Sequence, residues 1–327
     1  MMQRRKKYLN LLLIVLIAIL SLVIVYSALR IVDNSLQKPA PEITSQHTKT
    51  IHRDGISYFP RQDITTILLM GIDEYGPVKS SDSYNNPGDA DVVMILTLDE
   101  TNQTYSILSL NRDTMVTMPV LGLGGKKVST RFGQLTLSHT YGSGLQDSCE
   151  NVKETVSDLL YGLNIDYYVS MNLDAIEILN DAVGGVKVTV TDDFSKVDDT
   201  IVMGEFTLNG KQAISYVQAR KNIGDQLNTN RMNRQNEYME GFMQAFRAKA
   251  ENSESLSLDL YEQLTPYMVT DCTDTVLTTL VSKFTQYSLS EIITPEGSNQ
   301  KGDVYMEFHL DEAKLDELIL RMFYAIK

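Results

Sequence analysis

The stretch ITTILLMGID, Ile64–Asp73, is a nearly unbroken apolar run closed by one carboxylate. A run of this kind suits a strand covered on both faces, because neither side of its pleat is given over to polar residues. The same form recurs in DVVMILTL (91–98), YSILSL (105–110), YYVSMNL (167–173) and GVKVTV (185–190). Helical periodicity fills about 148–161, 174–183, 209–220, 229–250, 273–287 and 311–325. Strands alternating with helices predict a layered α/β fold, its central sheet lying between helices. Gly184-Gly185 closes one helix and opens the next strand, as glycine does at helix C-termini.

Upstream, residues 8–30 carry no charge until Arg30 and are long enough to cross a bilayer. Arg4, Arg5, Lys6 and Lys7 precede them, which predicts a cytoplasmic segment at 1–7 and one transmembrane anchor at 8–30, a cleavable signal peptide being the competing reading that the length of the run disfavours. Residues 31–60 lack periodicity and read as a stalk, leaving 61–327 as one extracytoplasmic domain at the cell membrane. The chain holds 29 Lys plus Arg against 42 Asp plus Glu, a balance that argues against nucleic acid as partner. Cys149 and Cys272 are the only cysteines. Outside the cell they are a candidate disulfide, with two unpaired buried thiols as the other reading.

Charges gather where the apolar runs end. Asp73 follows the first, Asp91 opens the second, and Arg112-Asp113 follow the third. Ligands of open α/β sheets bind at such strand ends. Further on, Arg220 stands at a helix end, and Arg231, Arg234, Gln235 and Tyr238 share one face of the helix at 229–250. Met232, Met239, Phe242, Met243 and Phe246 form an adjoining apolar arc, either packed core or a lipid groove. His47, His52, His139 and His309 show no metal-ligand spacing, and no nucleophilic triad stands out.

Taken in order, ILLMGID, DADVVMILTLD, SLNRDT, SHTYGSG, VGGVKVTV, LNGKQAISYVQARK and GDQLNTNRMNRQ resemble the LytR-CpsA-Psr family over about residues 64–246. The resemblance implies an α-β-α sandwich with a central mixed sheet. It also implies a phosphotransferase of the Gram-positive wall. Such an enzyme moves a glycopolymer from a polyprenyl pyrophosphate carrier at the outer membrane face onto a peptidoglycan acceptor, with Mg²⁺ as cofactor. Matched position by position, the metal carboxylates fall on Asp73 and Asp91, and pyrophosphate contacts on Arg112, Arg220, Arg231 and Gln235, with Arg234 beside them. Arg112, Asp113 and Asp225 are the catalytic candidates, Asp113 either orienting Arg112 or taking a proton. The same roles follow from chemistry, because guanidinium forks match phosphate oxygens and Mg²⁺ prefers a few carboxylates plus phosphate.

Two positions depart from the family pattern. Asp89 stands where members usually carry an arginine, and Gln218-Ala219-Arg220 replaces an Arg-x-Arg. Lys79, Lys126, Lys127 and Arg131, from long loops at 74–90 and 117–133, are candidate substitutes. Without a substitute, a non-catalytic lipid-binding or regulatory wall protein is the other reading.

Overall fold

The computed structural model describes residues 50–81, 83, 85–250 and 256–326. The candidate anchor and most of the stalk lie outside the described residues. Among the described residues no helix is long and apolar enough to cross a membrane.

In chain order the elements are β1 (Ile51–Arg53), β2 (Ile56–Pro60), β3 (Ile64–Ile72), β4 (Ala90–Asp99), β5 (Thr104–Leu110), β6 (Met115–Gly122) and β7 (Lys126–Gln134). Then come α1 (Gln146–Leu159), β8 (Tyr167–Asn172), α2 (Leu173–Ala182), β9 (Val186–Val190), β10 (Gly204–Leu208), α3 (Gly210–Gln218) and α4 (Asn228–Ala250). The last are α5 (Leu256–Leu264), β11 (Met268–Thr270), α6 (Asp274–Gln286), β12 (Ser288–Ile293), β13 (Gly297–Lys301), β14 (Met306–Leu310), α7 (Glu312–Phe323) and β15 (Tyr324–Ile326).

The central sheet runs β11-β8-β3-β4-β5-β12. It is mixed: β3 pairs antiparallel with β4 and parallel with β8, and β5 pairs antiparallel with β4 and parallel with β12. Alternate residues of each strand serve opposite layers. Leu68, Met70, Val93, Ile95 and Leu108 pack with Val152 and Val156 of α1 and Leu315 and Ile319 of α7. Ile67, Met94, Leu98 and Ile107 pack with Met243 of α4 and Val276 and Leu280 of α6. Helices therefore cover both faces, which is why these strands carry nearly continuous apolar sequence.

Several expectations are corrected. Residues 185–190 fall outside the central sheet: β9 pairs with β10 in a separate ribbon and buries only alternate residues. The end of the expected stalk is folded, since β2 pairs with both β1 and β15, and Arg53 forms an ion pair with the buried Asp316 of α7. The expected loop at 117–133 is the β6–β7 hairpin.

The disulfide is not formed. Cys149 is buried among the α1-side residues, whereas Cys272 packs against the α6-side cluster, so the sheet separates the two thiols. Burial raises both, Cys149 to about 12 and Cys272 to about 11, and keeps them protonated.

Candidate active site

The site forms where β3, β4 and β5 meet the start of α4. Pairing of β3 with β4 shifts between Gly71 and Ile72, leaving Asp91 as the extra residue of a bulge. A bulge re-aims a side chain that strict alternation would send elsewhere. Here the Asp91 carboxylate reaches Arg112 Nη1 through one oxygen and Arg231 Nη1, at 2.8 Å, through the other. Arg112 Nη2 lies 3.1 Å from Asp89, and its Nε lies 3.6 Å from Asp113.

Buried amides fix these charges. Asn111 Oδ1 accepts from the Asp113 N–H at 2.9 Å and from Asn228 Nδ2 at 2.7 Å. Asn228 Oδ1 in turn accepts from Arg231 Nε and Nη2, at 3.0 and 2.6 Å. Gln134, at the end of β7, donates to Asp113 Oδ1 at 2.9 Å. Beneath Asp89, His139 Nδ1–H donates to the Gly88 carbonyl at 2.7 Å, while Asn86 Nδ2 donates to the His139 and Gly142 carbonyls and to Ser148 Oγ. The segment 86–91 is thus held from below by a polar core. No periodicity in the sequence marks Asn86, Asn111, Gln134 or Asn228; SLNRDT carries Asn111 and GDQLNTNRMNRQ carries Asn228, and no motif carries the other two.

Burial dominates the electrostatics. It raises the pKa of Asp113 against the pull of Arg220, Arg112 and Arg231. Asp89 is also raised, by burial and by the negative charge of Asp73. Arg231 is lowered to about 10 by burial and by Arg220. His139 is lowered by burial.

The arrangement divides the residues singled out from sequence. Asp73, Asp91, Arg112, Asp113, Arg220 and Arg231 come together, with Arg220 Nη1 at the margin, 3.9 Å from Asp113. Gln218 Nε2 donates to Asp73 at 2.7 Å. Arg234 and Gln235, although buried, face away from this cluster. Arg234 donates to the Tyr216 and Ala219 carbonyls and pairs with Asp192 at 2.7 Å, and Gln235 donates to the Val217 carbonyl at 3.1 Å. They satisfy the carbonyls that the end of α3 leaves without helical partners, and so fix the chain that carries Arg220. Asp225 is exposed and accepts from the Leu227 N–H at 2.9 Å within its own loop. Lys127 pairs with Glu154, and Arg131 lies over the Tyr141 ring. Of the apolar arc, Met232, Met243 and Phe246 are buried, with Met239 and Phe242 half-buried against the same clusters.

Four carboxylates, Asp73, Asp89, Asp91 and Asp113, face three guanidinium groups. Among the described residues no three His, Cys, Asp or Glu groups are placed to hold a metal by themselves. The donor set fits a divalent cation only in company with phosphate. Phosphate oxygens drawing Arg112 and Arg231 would leave Asp91 and Asp89 uncompensated, and a hard cation shared with that phosphate restores the balance.

The LytR_cpsA_psr family profile matches residues 26–323. The chain belongs to that family. It is 28% identical over 211 residues to the polyisoprenyl-teichoic acid–peptidoglycan teichoic acid transferase TagU of Bacillus licheniformis, covering 63% of this chain and 61% of that relative. The chain thus spans about three fifths of that relative's length. A structure of TagT bound to LIIa-WTA superposes with a TM-score of 0.60 at 25% identity, over 80% of this chain and 89% of that one. The fold is shared with protein gbs0355 of Streptococcus agalactiae, TM-score 0.65 at 22% identity, over 79% and 86% of the two chains.

Proposed function

We propose that this LytR_cpsA_psr protein transfers an anionic glycopolymer from a polyprenyl pyrophosphate carrier to peptidoglycan. The observation that carries the reading is the convergence of Arg112, Arg220 and Arg231 on Asp91 and Asp113 at the strand ends. Three guanidinium groups with one open side suit a diphosphate held by paired N–H···O bonds. The relatives' names supply the polymer and the acceptor.

In the reaction, an acceptor hydroxyl attacks the phosphorus bearing the polymer. A P–O bond to the acceptor forms, the pyrophosphate bridge breaks, and polyprenyl phosphate leaves. Arg112 and Arg231 hold the diphosphate and stabilise charge gathering on the leaving phosphate. Arg220, 31% exposed in its side chain, closes on the phosphate nearer solvent. Asp113 is engaged by Gln134 and lies beside Arg112 Nε and Arg220 Nη1, so it orients the arginines. The hydroxyl proton passes to the open side, where Asp89 lies beside Arg112 Nη2. Asp73 and Asp91 would hold Mg²⁺, which would supply further charge neutralisation.

The polyprenyl tail takes the path between α4 and the sheet, past the half-buried Met239 and Phe242. Met232, Met243 and Phe246 are core in this structure, so the tail lodges there only where α4 lifts. The anchor at 8–30 keeps the domain on the outer membrane face. A binding-only reading is favoured by Asp89 and Gln218, which bring a carboxylate and an amide where the family pattern has arginines. Their contacts with Arg112 and Asp73 fill those places.

The test is binding of farnesyl pyrophosphate to the full chain in detergent. Affinity that rises with Mg²⁺ and drops about 10–100-fold in Arg231→Ala supports the reading, a charge-assisted contact being worth about 1.5–3 kcal/mol. Equal affinity for both proteins, with or without Mg²⁺, refutes it.

A further inference from the structure

Residues 115–134 contain no Asp or Glu, in a chain that holds 42. They form the β6–β7 ribbon, whose β7 pairs with β6 alone and is exposed from Lys126 to Phe132. On the ribbon Leu123 is 85% exposed, Val128 67% and Phe132 63%, alongside Lys126, Lys127 and Arg131. Its base is rigid. Val116 and Met118 are buried against α1, and the Leu135 and Thr136 N–H groups donate to the Thr114 and Arg112 carbonyls.

Lysine on a lone edge strand discourages pairing with another chain. That role does not require three large apolar side chains open to water, nor the exclusion of every acid from 20 consecutive residues. Together these features are the chemistry of an interfacial element, apolar groups entering the headgroup boundary while Lys and Arg meet anionic headgroups. The Lys127–Glu154 pair, half-exposed on both sides, is weak enough to yield to a lipid phosphate.

We propose that the β6–β7 ribbon is a membrane-contacting surface that seats on anionic phospholipid, separate from the N-terminal anchor. An anionic polymer would engage the three bases but leave Leu123 and Val128 facing water, so lipid is the occupant the side chains favour. Because β6 leaves directly from Arg112-Asp113, seating the ribbon also fixes the height and tilt of the arginine cluster above the bilayer. The inference does not depend on the transfer reaction.

The chain has no Trp, so Leu123→Trp places a single reporter at the tip. The full chain carrying it is reconstituted into vesicles with brominated acyl chains, either containing phosphatidylglycerol or made of phosphatidylcholine alone. Blue-shifted emission and strong quenching in phosphatidylglycerol are expected. Quenching should fall several-fold in phosphatidylcholine and when Lys126→Glu, Lys127→Glu and Arg131→Glu are added. Val304→Trp, at a side chain 76% exposed on the β13–β14 turn, should stay unquenched. Quenching equal at both positions, or absent at Leu123, overturns the proposal. So does a spectral change that appears only when soluble polyphosphate is added, which would assign the ribbon to a polyanion.

Discussion

Asp91 holds two guanidinium groups at once, and its position on a bulge makes that possible. Asp91→Asn would leave Arg112 and Arg231 buried side by side without their shared counter-charge. Breaking a buried pair costs about 3–5 kcal/mol when one partner is removed, so a sharp drop in the urea midpoint is expected. Adding Arg231→Gln should recover part of that stability without restoring transfer, because the second charge is then gone as well. Additive losses in the double variant would show that the pair is not coupled. His139 gives a second residue-scale outcome. Burial holds it neutral, so its folded pKa lies below the ordinary 6.5 and the unfolded chain takes up the proton first. Its contribution to stability is complete above about pH 6.5 and is lost as pH falls below that value. Asp89 and Asp113, both raised, act in the opposite sense at lower pH. The difference in urea midpoint between wild type and His139→Gln should therefore shrink from pH 7.5 to 5.5; a constant difference would contradict it. The strand-end charges Asp73, Asp91, Arg112 and Asp113 were legible because each interrupts an apolar run. Arg234 and Gln235 share a helix face with Arg231, but a shared face does not say which neighbour it meets. Theirs meets the end of α3.

At the scale of elements, α4 lies against β9 at Gly241, where an added Cβ would come within 2.5 Å of the Lys187 carbonyl oxygen. Two effects compete in Gly241→Ala. Helix propensity favours alanine by about 1 kcal/mol, but overpacking costs typically about 1–3 kcal/mol and here meets backbone, which cannot rotate away. Net destabilisation is expected in urea unfolding, and a stabilised variant would show that α4 sits less tightly. The tail path along α4 makes a separate claim. Met239→Ala should weaken long-chain polyprenyl donors more than short-chain analogues, whereas Arg231→Ala should weaken both alike. Equal chain-length dependence in titrations of both variants would make the arc plain core. The six expected helices form within a few residues because each pairs an apolar stripe with clear breakers. By contrast α5, β11 and β12 were illegible. The strand β11 has three residues, and β12, SLSEII, mixes polar with apolar side chains at the sheet's edge.

Across the whole molecule, the sheet divides two cores and puts one cysteine in each. Alkylation in denaturant without reductant should therefore label two thiols per chain, and the native protein should react slowly, both groups being held protonated. A single cross-linked peptide on non-reducing mapping would contradict the separation. The order of the apolar strands made the layered α/β class readable, because a sheet covered on both faces favours such runs, although GVKVTV at 185–190 belongs to the two-stranded β9–β10 ribbon. The join between layers was not readable, since α4 meets the α6-side cluster through Met243 and the separate cluster of α2, α3 and β9 through Phe246, residues that look alike in sequence. The central claim is that Arg112, Arg220 and Arg231 form a diphosphate site that drives polymer transfer. Its most direct test is a single-turnover assay of the full chain with a lipid-linked polymer donor and peptidoglycan oligomers, measuring polyprenyl phosphate and polymer-bearing peptidoglycan together. Equimolar appearance of both in wild type, with at least a tenfold loss in Arg231→Ala at saturating donor, is the predicted result. Donor that binds but yields neither product in wild type, or an Arg231→Ala variant that turns over at the wild-type rate, would contradict it.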